Sequence, residues 1–205
     1  YSEKMWYMGS IPYSMKGLRM LSDQIDGFLE RLEIERKKVL VLDLDNTLWG
    51  GVQGEDGPLG VTLGTSLLGA VYRDTQKRIK ELKDLGVLLA IVSKNNMEEV
   101  DALFSQNPQM VLEKSDFISI YSNWDDKPTN IRRLAQQLNL GLDSFIFLDD
   151  NEVEREMVKR ALPMVEVVEF PQDVAELPAV IRAIYGKYFW QWTVTDEDLS
   201  KTRQY

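Results

Sequence analysis

The apolar run Val39-Leu40-Val41-Leu42 leads without a break into Asp43-Leu44-Asp45-Asn46-Thr47. An apolar run with no polar alternation suits a strand buried on both faces, as in a parallel sheet covered by helices. Four similar segments follow: Val87 to Val92, Phe117 to Tyr121, Ser144 to Leu148 and Val165 to Val168. Between them the apolar positions recur at helical spacing. Leu67 to Leu85 reads as a helix through Val71, Tyr72, Ile79 and Leu82, stopped by Gly86. Asn95 or Asn96, with Glu98 or Glu99 three residues on, forms a capping-box signal for the next helix. Asp126-Lys127-Pro128 opens a helix to about Asn139, with proline at an early helical position. Further helices run from near Asn151 to about Leu162 and from Val174 to Tyr185.

Strands alternating with helices predict an α/β fold: a Rossmann-like, five-stranded parallel sheet with helices on both faces. Tyr1 to Tyr13 has no clear period and predicts an irregular arm, whereas Lys16 to Leu32 carries a helical apolar stripe. Residues 49 to 64 hold Gly50, Gly51, Gly54, Gly57, Gly60 and Gly64, a density that predicts a loop. No Gly-Lys-Ser/Thr follows, so this is not a P-loop. Trp190 and Trp192 precede a polar stretch to Tyr205. The expected organisation is an N-terminal arm and helix over 1–35, an α/β core over 36–186 and a C-terminal extension over 187–205. A first residue that is Tyr rather than Met suggests part of a longer, multidomain chain.

Composition narrows the chemistry mainly through two zeros. The chain has no His and no Cys. Ser-His-Asp and Cys-His catalysis, imidazole or thiolate zinc sites and disulfides are therefore excluded. What remains is carboxylates, Lys, Ser/Thr and hard metal ions. A formal net charge of −9 argues against nucleic-acid binding, which needs a positive footprint. No apolar stretch is long enough to span a membrane, and no signal peptide is visible. The absence of Cys fits the cytoplasm.

Candidate chemistry gathers at the strand ends. In extended backbone Asp43 and Asp45 point to the same side, at the edge where open α/β sheets place ligands. Ser93 ends the second strand, where a hydroxyl beside a helix N-terminus can hold a phosphate oxygen or simply cap a turn. Lys127 opposes the macrodipole of its helix unless an anion is bound there; the alternative is a solvated lysine beside Asp125 and Asp126. Asp149-Asp150 ends the fourth strand, and either residue could instead cap the following helix. Four carboxylates on one edge repel unless a cation holds them. With no His or Cys, hard oxygen ligands favour Mg²⁺. An EF-hand is excluded, because Leu48 and Gly54 stand where its loop needs Gly and Glu.

Asp43-Leu44-Asp45-Asn46-Thr47, Ser93, Lys127 and Asp149-Asp150, each after a strand, resemble the four motifs of the haloacid dehalogenase (HAD) superfamily. The strings Asp45-Asn46-Thr47-Leu48-Trp49-Gly50-Gly51-Val52, Gly54-Glu55-Asp56-Gly57, Asn123-Trp124-Asp125-Asp126-Lys127 and Phe147-Leu148-Asp149-Asp150-Asn151 look like its FkbH-like branch, subfamily IIIC. The resemblance implies a HAD core with strand order 5-4-1-2-3 and a minimal cap or none. It implies Asp43 as the nucleophile forming an aspartyl-phosphate and Asp45 as the acid and base. Thr47 would fix the loop, and Ser93, Lys127, Leu44 and Asp45 would bind the phosphate. Asp43, Asp45 (through its carbonyl) and Asp149 would hold Mg²⁺, with Asp150 in support.

In this branch the phosphate source is typically 1,3-bisphosphoglycerate, whose acyl group passes to an acyl carrier protein for polyketide or related assembly. Members that do so often have Cys between the two aspartates, where this chain has Leu44, so a covalent enzyme thioester is impossible here. The implied function is a Mg²⁺-dependent phosphatase acting on a phosphorylated small acid or acyl phosphate, with an acyl carrier protein and flanking domains as partners. Two rivals remain: a generic small-molecule or sugar phosphatase, and a non-catalytic carrier- or partner-binding module.

Overall fold

The structure is a computed structural model that describes residues 1–33 and 36–190. The chain divides after residue 35 into two compact units. In the first, helix α1 (Glu3–Gly9) replaces the irregular arm expected for Tyr1 to Tyr13. Ser2 caps it by accepting from the Met5 N–H, and Ser10 closes it in the left-handed region at φ 55°. With so few residues, cap chemistry rather than apolar period sets this helix, which is why periodicity did not reveal it. Helix α2 follows over Met15–Glu33.

The second unit is built on a parallel sheet. Strand β1 (Val39–Leu42) leads through the glycine-rich segment, which contains the short helix α3 (Gln53–Asp56), to α4 (Leu67–Asp84). Then come β2 (Leu88–Ser93), α5 (Met97–Gln106), β3 (Phe117–Ser122) and α6 (Lys127–Leu138). Strand β4 (Phe145–Leu148), α7 (Glu152–Ala161), a two-residue β5 (Glu166–Val167) and α8 (Leu177–Ile184) follow, and a π-helical turn over Tyr185–Phe189 continues from α8. The strand order is β3-β2-β1-β4-β5, all parallel, which is the predicted order.

All four residues of β1 are fully buried, so the apolar run has no solvent face. Val39 and Val41, with Phe145 and Phe147 of β4, pack under Ile131, Leu134 and Leu138 of α6 and Val158 of α7. Leu40 and Leu42 point to the opposite face by strand alternation, and α4 and α8 pack on each other. The helices thus cover the central strands and leave their carboxyl edge for polar side chains.

Three local expectations need correction. The glycine-rich segment is not all loop: α3 forms in it, and Gly50 and Thr62 exchange backbone hydrogen bonds of 3.1 and 2.7 Å that close it into a flap. Helix α5 starts after Asn96, but no capping box forms. The Asn96 side chain is taken up by Glu99 and by the Trp124 indole, each at 3.1 Å. The fifth strand is only two residues long, not four. Of the expected extension over 187–205, residues 191–205, including Trp192, lie outside the described residues. No helix among the described residues is long and apolar enough to cross a membrane.

Candidate active site

Three adjacent strands, β2, β1 and β4, end side by side and deliver Ser93, Asp43 and Asp149 to one edge. The ladder carries past β1, where the Asp43 N–H donates to the Leu148 carbonyl at 3.0 Å. Here the chain turns sharply. The N–H groups of Thr47 and Leu48 both donate to the Leu44 carbonyl, and Asn46 takes a left-handed φ of 54°. Asn46 Oδ1 accepts from the Gly51 N–H at 2.9 Å, which ties the turn to the flap. The result is a cavity of about 190 Å³ whose lining includes Asp43, Asp45, Ser93, Lys127, Asp149 and Asp150.

Lys127 is the first residue of α6, and Asp126 caps that helix by accepting from the Thr129 N–H at 2.8 Å. The lysine is 3% exposed, so it is not a solvated side chain. Its ammonium donates to Asp43 Oδ1 at 2.6 Å and to Asp149 Oδ2, and lies 5.8 Å from the centre of the Phe147 ring. These carboxylates supply the negative charge that the helix N-terminus favours. Asp149 Oδ1 accepts from the Asn151 N–H at 2.9 Å, while Asn151, not Asp149 or Asp150, caps α7.

The electrostatics follow from burial. Desolvation pushes the Asp43 carboxyl up to about 6; Asp149 adds to the rise, while Lys127 and a hydrogen bond from Ser93 oppose it. Asp150 is also pushed up to about 6, by burial and then by the Asp43 charge. Burial raises Asp149 as well, against the pull of Lys127. For Lys127, burial disfavours the charge, but Asp43 and Asp149 more than offset it and the net shift is upward. The site therefore holds more negative charge than its single buried ammonium can balance.

One oxygen each from Asp43, Asp149 and Asp150 lies within 4.8 Å of the others. A set of hard carboxylate oxygens with no nitrogen or sulfur donor suits Mg²⁺, whose ligands sit about 4 Å apart across the ion. The Asp45 carboxylate is not in this trio. Its Oδ1 accepts from Trp49 Nε1 at 2.9 Å and from the Gln53 N–H at 3.0 Å, and its Oδ2 from Asn95 Nδ2 at 3.1 Å. The remaining expected residues, Leu44 and Thr47, belong to the turn itself. Leu44 and Thr47 are fully buried, and among the described residues the Thr47 hydroxyl has no hydrogen-bond partner. The backbone bonds to the Leu44 carbonyl and the Asn46 side chain hold the turn instead.

Other residues around the site were not singled out from the sequence. Arg155, 8% exposed, donates to the carbonyls of Asp149 and Asp150 at 2.9 and 2.7 Å and so braces that turn from behind. Lys94 pairs with Glu154 at 2.6 Å along the cavity wall. Charged residues on α7 look like a solvated helix face in sequence. The one available signal is that Glu154 and Arg155 fall in the first turn after the Asp149-Asp150 pair.

No protein-family model matches this chain, and no curated protein sequence matches it. Among solved structures, it resembles the N-terminal part of the protein BF1531 from Bacteroides fragilis, described as containing a phosphatase domain complexed with Mg. The identity is 35% and the TM-score 0.75, over 95% of this chain and 51% of that one. This chain thus spans about half the length of that relative. It also resembles the HAD domain of the effector protein Lem4 from Legionella pneumophila, at 15% identity and a TM-score of 0.51, over 75% of this chain and 95% of that one. The parallel sheet, its strand order and these neighbours together give the chain the fold of the haloacid dehalogenase superfamily.

Proposed function

We propose that this chain is a Mg²⁺-dependent phosphatase that works through an aspartyl-phosphate on Asp43. The observation that carries the reading is the meeting of Asp43, Lys127, Asp149 and Asp150 in one small cavity at the carboxyl edge of the sheet. The phosphatase domain of the B. fragilis relative, complexed with Mg, supports it. Asp43 attacks phosphorus, a role for which its buried, lysine-paired carboxylate is held in place. The Lys127 ammonium and the Ser93 hydroxyl hold the phosphoryl oxygens, with the backbone at Leu44 and Asp45 completing the cradle. Asp45 gives a proton to the leaving oxygen and then takes one from the water that cleaves the aspartyl-phosphate. Asp43, Asp149 and the Asp45 carbonyl, supported by Asp150, would hold Mg²⁺, which neutralises phosphoryl charge when bound.

The finer reading is an FkbH-like enzyme acting on an acyl phosphate or phosphorylated small acid, with an acyl carrier protein as partner. It rests on the motif strings from Asp45 to Val52 and from Asn123 to Lys127. Val52, Trp124 and Val153 are exposed on segments that follow the strand ends. A screen of phosphorylated metabolites and acyl phosphates, with and without carrier proteins, tests both levels. Mg²⁺-dependent phosphate release supports the phosphatase, and acceleration by a carrier protein supports the finer reading. Activity on free metabolites that carriers do not change favours a generic small-molecule phosphatase. No turnover on any substrate contradicts the enzyme reading and leaves a partner-binding module.

A further inference from the structure

Asp45 is the most thoroughly tethered carboxylate in the cavity. Its donors come from separate parts of the chain. Trp49, fully buried, presents its indole N–H from just beyond the turn, and its ring stands edge-on to Phe104 with centroids 6.5 Å apart. Gln53 contributes a backbone N–H from α3, while its side-chain amide donates to the Glu99 carbonyl at 2.9 Å. Asn95, 5% exposed, contributes its amide from the loop after β2. That amide also donates to Ser93 Oγ at 3.1 Å, and the Asn95 carbonyl accepts from Ser122 Oγ at 2.8 Å.

The count of donors matters. A carboxylate oxygen has two acceptor positions. Among the described residues Oδ1 has both filled, by Trp49 and Gln53, whereas Oδ2 has one filled, by Asn95. The open position on this carboxylate is therefore on Oδ2, the oxygen from which a proton can be exchanged with a leaving group. An unrestrained aspartate can turn about two side-chain torsions, and proton transfer falls away once donor and acceptor leave hydrogen-bond reach.

We propose that Trp49 and Asn95 are positioning residues for proton transfer, fixing Asp45 so that Oδ2 carries the proton to the leaving group. This rests on the phosphatase reading above. As the bond from phosphorus to the leaving oxygen breaks and the Asp43 oxygen–phosphorus bond forms, the proton on Oδ2 passes to that oxygen. The freed Asp45 carboxylate then takes a proton from the water whose oxygen bonds to phosphorus as the Asp43 oxygen–phosphorus bond breaks, so inorganic phosphate leaves and both aspartates return to their starting state.

The test uses two probes that differ in how much they need an acid. p-Nitrophenyl phosphate has a good leaving group and phenyl phosphate a poorer one. In the presence of Mg²⁺, Trp49→Phe and Asn95→Ala should lower kcat/KM on phenyl phosphate about 10-fold or more, because general acid catalysis is worth at least that. On p-nitrophenyl phosphate the same variants should stay within about 3-fold of the unmodified chain. Trp49→Phe keeps the buried ring, and if it fails to fold, Asn95→Ala carries the test alone. Equal losses on both probes would mean a merely structural role and overturn the proposal, as would no loss on either. Asp43→Asn serves as the separate control: if it keeps turnover, the aspartyl-phosphate reading itself fails. Absence of turnover by the unmodified chain on both probes would overturn the proposal together with that reading.

Discussion

Lys127 donates to Asp43 at 2.6 Å across 84 residues of chain, and both side chains are shut away from water. The pairing explains a lysine placed where a helix dipole disfavours it, and it ties α6 to the ends of β1 and β4.

Replacing that lysine should therefore be felt in the fold as well as in activity. Lys127→Met leaves Asp43 and Asp149 buried without their counter-charge, which costs about 3 kcal/mol in comparable buried pairs. Urea denaturation near neutral pH without metal measures it. At about pH 5 the two carboxyls take up protons more readily, so the penalty should shrink. Equal penalties at both pH values would contradict the pairing.

The carboxylates also make a prediction about pH and metal. Asp43 and Asp150 are pushed up to about 6 in the folded chain, from an ordinary value of 3.8. Between these values the folded state binds more protons than the unfolded one, so stability falls as pH rises. Without metal, the contribution of these two groups is fully favourable below the unfolded value and lost as pH passes the folded one. Mg²⁺ replaces the protons. Its stabilising effect, read as the rise in Tm over a chelator control, should be larger near pH 7.5 than near pH 5. A rise that is equal, or larger in acid, would contradict an Asp43-Asp149-Asp150 metal site.

Leu44 carries a prediction of its own. The chain has no Cys, and the Leu44 side chain is fully buried, so no thiol is available to capture an acyl group. Incubation with an enzymatically generated acyl phosphate should release phosphate and leave no covalent acyl-enzyme. Intact-protein mass spectrometry checks this, and a stable acyl adduct on the unmodified chain would contradict it.

The sheet and the site were legible in sequence to different depths. Val39 to Leu42 is apolar without alternation because both of its faces are covered, so the burial pattern was written in the residues themselves. The helix opened by Asp126-Lys127-Pro128 was visible because capping and the early proline are local chemistry. The role of Asn95 was hidden, since the same residue type at the same place reads as a cap until the turn after β1 lies opposite it. Arg155 and Glu154 were hidden for a similar reason. Their partners come from other segments, and only the assembled edge turns two charged helix residues inward. Helix α1 escaped because its signal is one serine at each end, with no buried residue between them.

The central claim is that phosphate passes through Asp43, and trapping the intermediate tests it most directly. The chain is mixed with Mg²⁺ and a phosphorylated substrate, quenched in acid during turnover, and treated with borohydride, which reduces an aspartyl-phosphate to homoserine. Peptide mass spectrometry then locates the reduced residue. The account predicts homoserine at position 43, and none in Asp43→Asn. Turnover with no reduction at position 43, or with reduction at another aspartate, would contradict it.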